Sequence, residues 1–423
     1  MQKSTSSASL LTPSRVMPAL VLALCFLFNL TGRGVGDTYM VFLLPLGAEF
    51  GWHRTQMTSV YSALMITSGL AAPLAGMVFE RWGPRVLYAG GLAFLGIGHF
   101  LAGQLQHLWQ FYVCIGLFGG LGLSAMGMVP ASALLSRWFH RRLSTAIGLA
   151  YAGFGCGSLL MVPIAQILID NHGWRDAYHL IGATLLLLLP LSIVMPWRTI
   201  RAGPPLARNE RNTPLGNGAV RPLHEAVRHR PFWLLVQVMF FTAVAMYLII
   251  VQSVAYLIDI GFAPLKAAGA FGIAGMLSVV GVSAAGWLAD RFGYKRAATV
   301  SFTGTFLGVA LLYAMSYHST HWLLAAYVLL FGICQGARGP LIASLSARLF
   351  PGPGLAPIYG MIYACMSIGS GLGALLSGVL HDLTGGYRAS FLLSMVCVMI
   401  AATPFWTSNV LAPVARDTGD HNE

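Results

Sequence analysis

The stretch Gly286-Trp-Leu-Ala-Asp290-Arg291-Phe-Gly293-Tyr-Lys295-Arg296 is a short charged turn between two long apolar runs. An earlier stretch, Gly76-Met-Val-Phe-Glu80-Arg81-Trp-Gly83-Pro84-Arg85, has the same layout 210 residues before it. Two more landmarks keep nearly that spacing. Pro130 followed by Arg137-Trp-Phe139 returns as Pro340 followed by Arg348-Leu-Phe350. Gly173-Trp-Arg175-Asp-Ala-Tyr178 returns as Gly386-Tyr-Arg388-Ala-Ser-Phe391. The chain is therefore built from two copies of one unit.

Composition says what kind of unit. Of the 423 residues, 57% are hydrophobic and 9% charged. A soluble domain carries about 25% charged residues, so a soluble enzyme and a disordered basic tail are both excluded. The net charge of +12 would suggest nucleic acid, but such binders gather their basic residues on a solvated face. Here most of the surface must meet lipid. The bilayer is a partner and nucleic acid is not.

A hydrocarbon core of about 30 Å needs about 20 apolar residues per helix. Twelve stretches qualify: 16–46, 55–78, 86–106, 108–136, 143–169, 174–196, 231–257, 266–289, 296–316, 321–349, 355–381 and 388–411. The first is too long for a signal peptide and no small-residue cleavage site follows it. The expected fold is all-α: twelve transmembrane helices in two pseudo-symmetric six-helix bundles. Residues 1–15 form a tail, 16–197 the first bundle, 198–230 a linker, 231–411 the second bundle and 412–423 a second tail. The linker holds seven arginines. With it on the cytoplasmic side, both termini are cytoplasmic, and tails and inner loops carry 19 of the 25 basic residues. That bias is the positive-inside rule.

Of the 38 charged side chains, three fall deep inside spans: Arg33, Asp37 and Arg338. A charge at the bilayer centre costs about 2.5–3.5 kcal/mol on insertion scales, so such residues face a partner or a wet cavity. Asp37 follows Arg33 by four residues on one helix face, and Asn29 precedes it on the same stripe. Gly32, Gly34 and Gly36 permit close packing or a kink there. Arg338 has Gln335 one turn before it and no acid in its own span. Two guanidiniums suit a carboxylate, which arginine grips bidentately. Asp37 then balances Arg33 when the site is empty and is the candidate proton site. The alternative reading is structural, with Arg33–Asp37 as an internal ion pair and Asp37 as the partner of Arg338. Further candidates for substrate contact are Tyr247 and Gln252 on span 7, Tyr363 beside Tyr359 on span 11, and Tyr151 on span 5. Met126 and Met128 read as core.

The turn at Gly286 closely resembles the G-x-L-A-D-R-x-G-x-K/R signature of the major facilitator superfamily, and with the repeat and the spans the resemblance covers nearly the whole chain. It implies alternating access between two bundles, with spans 1, 4, 7 and 10 lining a central cavity. Arg33 and Arg338 would then face each other across it. In that family the signature is a gate latch. By resemblance its residues here are Gly286, Asp290, Arg291, Gly293 and Lys295, with Gly76, Glu80, Arg81, Gly83 and Arg85 in the first copy. That copy departs from the pattern, with Glu80 for Asp and Pro84 before Arg85.

The runs Val41-Phe42-Leu43-Leu44-Pro45-Leu46, Glu49-Phe50-Gly51-Trp52 and Gly173-Trp174-Arg175 resemble bacterial monocarboxylate porters and oxalate/formate exchangers. They imply a carboxylate substrate. Human-type monocarboxylate carriers place an Asp/Arg pair on span 8 and the oxalate exchanger has basic residues on spans 8 and 11, whereas here neither span has an internal Lys, Arg, Asp or Glu, so their substrate residues do not carry over.

The expected activity is secondary active transport of a small organic anion, a mono- or dicarboxylate, in proton-coupled uptake. Anion exchange and drug or metabolite efflux are the rival readings. A non-transporting sensor or an enzyme would need an added domain or a nucleophile–base pair. No cofactor or metal is expected: the Gly153-Phe-Gly155-Cys-Gly157 run lacks a P-loop lysine and reads as helix packing, and the six cysteines form no CxxC pair. A monomer in a bacterial plasma membrane completes the expectation.

Overall fold

The computed structural model describes residues 13–139, 143–202, 227–336, 338–350 and 355–408. It is helical throughout, with no strand among the described residues. Lipid offers the backbone no hydrogen bonds, so long apolar runs satisfy theirs internally as helices. The first half contains α1 (Pro13–Phe50), α2 (Arg54–Trp82), α3 (Pro84–Ala102), α4 (Leu108–Phe111), a π-helical segment (Tyr112–Gly119), α5 (Gly120–Ala125), α6 (Met128–Trp138), α7 (Leu143–Val194) and α8 (Trp197–Ala202). The second contains α9 (Arg230–Ile250), α10 (Ser253–Asp259), α11 (Pro264–Phe292), α12 (Tyr294–Met315), α13 (His321–Gln335), α14 (Arg338–Leu349), α15 (Leu355–Thr384) and α16 (Arg388–Thr407).

Ten helices among the described residues are long and apolar enough to cross a bilayer. The longest, Ala146–Val194, has 49 residues; at 1.5 Å per residue it would reach about 74 Å, twice the need. It is interrupted at Gly173 (φ 82°, ψ 165°), where spans 5 and 6 were expected to meet. Three other expected spans are broken within. Span 4 is interrupted at Met126–Gly127, span 7 between Ile250 and Ser253, and span 10 between Gln335 and Arg338. Most of the expected linker, both tails and part of the turn after span 4 lie outside the described residues.

The repeat is visible in the backbone. Among the described residues six glycines have positive φ, and they fall into pairs: Gly51 with Gly261, Gly83 with Gly293, and Gly173 with Gly385. The first two pairs keep the 210-residue interval, and the third adds two residues. Only glycine takes such φ values freely. In both signature turns the glycine N–H donates at 3.0 Å to the carbonyl four residues back, Phe79 in one and Ala289 in the other. The Gly51–Gly261 pair lies outside the repeated motifs of the sequence. In the third pair the positive-φ glycine is Gly385, one residue before the Gly386 of the repeated motif, while Arg175 and Arg388 keep equivalent places, each donating to the C-cap of the third span of its half at Gly103 and Ser316.

The two halves meet along α2 against α15 and α7 against α11. Glycine sets the closeness. A Cβ on Gly378 would lie 2.7 Å from Thr55 Cα, one on Gly371 would strike Ile66, and one on Gly69 would overlap Ser367. In the other pair, a Cβ on Gly155 would lie 2.6 Å from the Gly275 carbonyl oxygen. Two turns nearer the signature loops the contact ends: among the described residues a Cβ on Gly76 would meet only Val129 of its own half, and Gly360 and Gly148 face none within 4 Å. The halves touch at the end away from the signature loops and part toward them.

Candidate functional site

Between the halves lies a cavity of about 280 Å³. Its polar lining includes Arg33 and Asp37 from α1, Tyr151 and Ser158 from α7, Tyr247 from α9, Gln335 from α13 and Arg338 from α14. Phe271, Tyr327, Phe331 and Met246 supply much of the apolar wall. A second cavity of about 200 Å³ shares Arg33, Tyr151 and Tyr247, and is lined further by Ala72, Ser124, Met128, Tyr359 and Tyr363.

On α1 the four-residue spacing does what helix geometry allows. Arg33 Nε lies 3.1 Å from the Asp37 carboxylate. Ser158 Oγ donates to Asp37 at 2.5 Å, and Tyr61 OH donates at 3.4 Å. Asp37 is buried, and these three donors replace the water that burial removes. Arg33 Nη1 also donates to Tyr247 OH at 3.1 Å, a bond from one half to the other. The helix runs unbroken through Gly32, Gly34 and Gly36. The glycines serve close packing: a Cβ on Gly34 would lie 2.7 Å from Met161 Cγ. The Gly153 run does the same from α7, where Gly153 and Gly157 pack onto α1.

Arg338 is the first residue of α14 and is 3% exposed. Its Nη2 donates to Thr305 Oγ1 and, at 3.5 Å, to the Ser301 carbonyl. Its guanidinium carbon stands 4.7 Å from the centre of the Phe302 ring, a cation–π contact. Nε and Nη1 have no hydrogen-bond partner, and no carboxylate pairs with Arg338 among the described residues. A helix N-terminus carries about half a positive charge, so the cation sits where a second positive field already acts.

The other expected residues divide. Gln335 lines the cavity while its Nε2 donates to the Ala274 carbonyl at 3.1 Å. Tyr363 lines the second cavity. Asn29 is not in either lining: it is buried and ties α1 to α7 through the Ala150 carbonyl at 3.1 Å. Gln252 is buried at the break between α9 and α10, its side-chain amide without a hydrogen-bond partner among the described residues, and it is outside both linings. Burial among neighbouring helices, which a position in an apolar run does not reveal, removes both from the cavity. Ser158, Tyr61, Thr305 and Phe302 were missed. Ser158 follows the Gly153–Gly157 run directly, and that run was the available signal.

In the signature loops, Arg137 pairs with Glu80 at 3.2 Å and Arg291 lies 5.4 Å from the Trp287 ring centre. Arg81, Arg85 and Lys295 are exposed. The Asp290 side chain and the surroundings of Gly286 lie outside what is described. At the opposite end Glu49 pairs with Arg175 at 2.6 Å and accepts from the Trp174 indole, which joins two of the short runs singled out in the sequence.

Comparison with known proteins bears on what such a cavity serves. The sequence pattern of the Major Facilitator Superfamily matches residues 22–317 and 283–420. Monocarboxylate transporter 13 from Bos taurus is 32% identical over 365 residues, covering 85% of this chain and 82% of its own. Monocarboxylate transporter 11 from Homo sapiens is 32% identical over 358 residues, covering 82% and 74%. In structure, a bacterial homologue of the human lysosomal transporter Spinster, inward-facing and unoccupied, superposes with a TM-score of 0.73 at 15% identity, covering 93% of this chain and 97% of that one. Those relatives are membrane transporters of small molecules, not enzymes, and this chain belongs to the major facilitator superfamily.

Proposed function

We propose that the chain is a secondary active transporter that takes up a small organic anion, a mono- or dicarboxylate, together with protons, by alternating access of two six-helix bundles. The observation that carries this reading is Arg338: a buried guanidinium at a helix N-terminus, without an acidic partner among the described residues, in the wall of the central cavity. Cation and helix end both favour an anion. Arg33, in the same cavity, is the second anchor for the substrate. The relatives' name, monocarboxylate transporter, supports a single carboxylate as the first substrate to try.

Asp37 is the proton site in this reading. A substrate carboxylate at Arg33 competes with Asp37 for the guanidinium, and a proton on Asp37 lets the guanidinium go. Tyr247, bonded to Arg33 from the other half, feels that exchange. Twelve crossings follow if the helix broken at Gly173 counts as two and α13 with α14 as one. The Lys/Arg bias supports both termini and the signature loops on the cytoplasmic side of the plasma membrane. There Glu80, Arg81, Arg85, Asp290, Arg291 and Lys295 close the cavity in the alternate state, and the carrier works as a monomer.

The test is uptake of radiolabelled lactate, pyruvate, oxalate and aromatic acids into proteoliposomes, with and without a pH gradient. Accumulation raised by an inward proton gradient is expected for at least one. Accumulation of none by folded protein would sink the carboxylate reading, and accumulation indifferent to the gradient would remove the proton from it.

A further inference from the structure

Helix α2 begins at Arg54, and the first N–H groups of a helix have no partner inside it. A side chain just before the helix normally supplies one. Here the acceptor comes from the other half of the molecule. The Arg54 N–H donates to Asp382 Oδ1 at 3.1 Å, the Thr55 N–H donates to Oδ2 at 2.8 Å, and the Thr55 hydroxyl donates to Oδ2 as well. Asp382 lies near the end of α15, which packs against α2 through Gly378. Beside this cap, the Arg54 guanidinium reaches Asp259 of α10 at 3.4 Å, and Asp259 also accepts from the Tyr387 phenol. All of these contacts lie at the end where the halves touch; Gly76 and Gly360, on the same two helices, stand apart from the opposite helix at the other. The repeat sharpens the point. Asp170 stands to Gly173 as Asp382 stands to Gly385, but Asp170 accepts from Gln166 of its own helix at 2.7 Å. The borrowed cap therefore belongs to the α2–α15 pair.

We propose that Asp382 is the positioning residue of the gate opposite the signature loops: its carboxylate caps α2 only while that end is shut, and losing the cap shifts the carrier toward opening on that side. The inference rests on alternating access and not on the identity of the substrate.

Hydrogen–deuterium exchange of the full chain in nanodiscs, without substrate, tests it. Asp382→Ala is expected to speed exchange about tenfold in peptides covering 52–62 and 374–384, and to slow exchange at the signature end, around 76–90 and 286–297. Asp382→Asn, which keeps an acceptor and loses the charge, should fall between. Thr55→Val removes one bond from the α2 side and is read in the same way if the alanine variant does not fold. Faster exchange confined to the first turn of α2 would mean a local cap and no gate. Faster exchange at both ends would mean a loosened bundle, and no change would mean no latch; each of the three overturns the proposal. A failed uptake assay leaves this readout untouched.

Discussion

Arg33 and Arg338 are the same side chain in opposite circumstances. Arg33 has an acid 3.1 Å away; Arg338 has a threonine, a carbonyl and an aromatic face. Removing each therefore has a different expected result. Arg33→Gln strands the buried Asp37 carboxylate and should cost about 3–5 kcal/mol of stability, seen as a lowered melting temperature of the purified protein. Arg338→Gln removes an uncompensated charge, so the melting temperature should hold or rise. Anion binding to it should fall about 100-fold, the scale of one or two charge-assisted hydrogen bonds, read by equilibrium binding of a labelled carboxylate. Equal melting losses in the two variants would mean that both arginines are structural. The charges themselves were legible because a charge in a span is costly wherever it sits. Apart from Tyr247, their neutral partners were not. Ser158, Tyr61 and Thr305 come from other helices, and hydroxyls are common enough in spans that only the packing reveals which ones meet a charge.

At the scale of elements, the long apolar runs made most helices legible to within a few residues, since lipid leaves the backbone no alternative. The breaks were not legible. Glycine is tolerated inside membrane helices, so Gly127 and Gly336 in their runs look like Gly32 or Gly34, which break nothing. The interruptions at Met126–Gly127 and between Gln335 and Arg338 fall at the 210-residue interval, so span 4 and span 10 share one defect, and in span 10 it delivers Arg338 to a helix start. Broken helices are a known way to build sites at mid-membrane. The packing glycines give a graded prediction. Gly157→Ala would drive a Cβ into the Leu30 carbonyl and Gly34 and should cost about 1–3 kcal/mol. Gly148→Ala meets no described residue within 4 Å and should be neutral or stabilising by up to about 1 kcal/mol. Thermal unfolding of the two variants side by side checks the contrast.

For the whole molecule, the asymmetry between the two ends matters more than any contact within one half. The α2–α15 seam is tight at Gly378, Gly371 and Gly69 and open at Gly76 and Gly360. Closing the signature end would bring Gly360 toward α2 as Ser367 already lies on Gly69. Gly360→Leu should then leave substrate affinity within about twofold, since no described residue lies within 4 Å of it in this conformation, while turnover falls more than about tenfold as closure meets a side chain. Binding by the purified protein and uptake by proteoliposomes separate the two effects, and unchanged turnover would show that the seam does not close there.

The charge count of the cavity reaches further than recognition. Two guanidiniums against one carboxylate leave the unloaded carrier with one positive charge that faces first one side of the membrane and then the other. A full elementary charge moved through the field is worth about 2.3 kcal/mol per 100 mV. With the signature loops in the cytoplasm, an interior-negative potential draws the bare carrier toward the form open at that end, which is the form seen here. With a single carboxylate bound and a proton on Asp37 the loaded carrier keeps that charge, so voltage resists the outward return with or without cargo, and an interior-negative potassium diffusion potential across proteoliposomes should slow net uptake and one-for-one exchange alike.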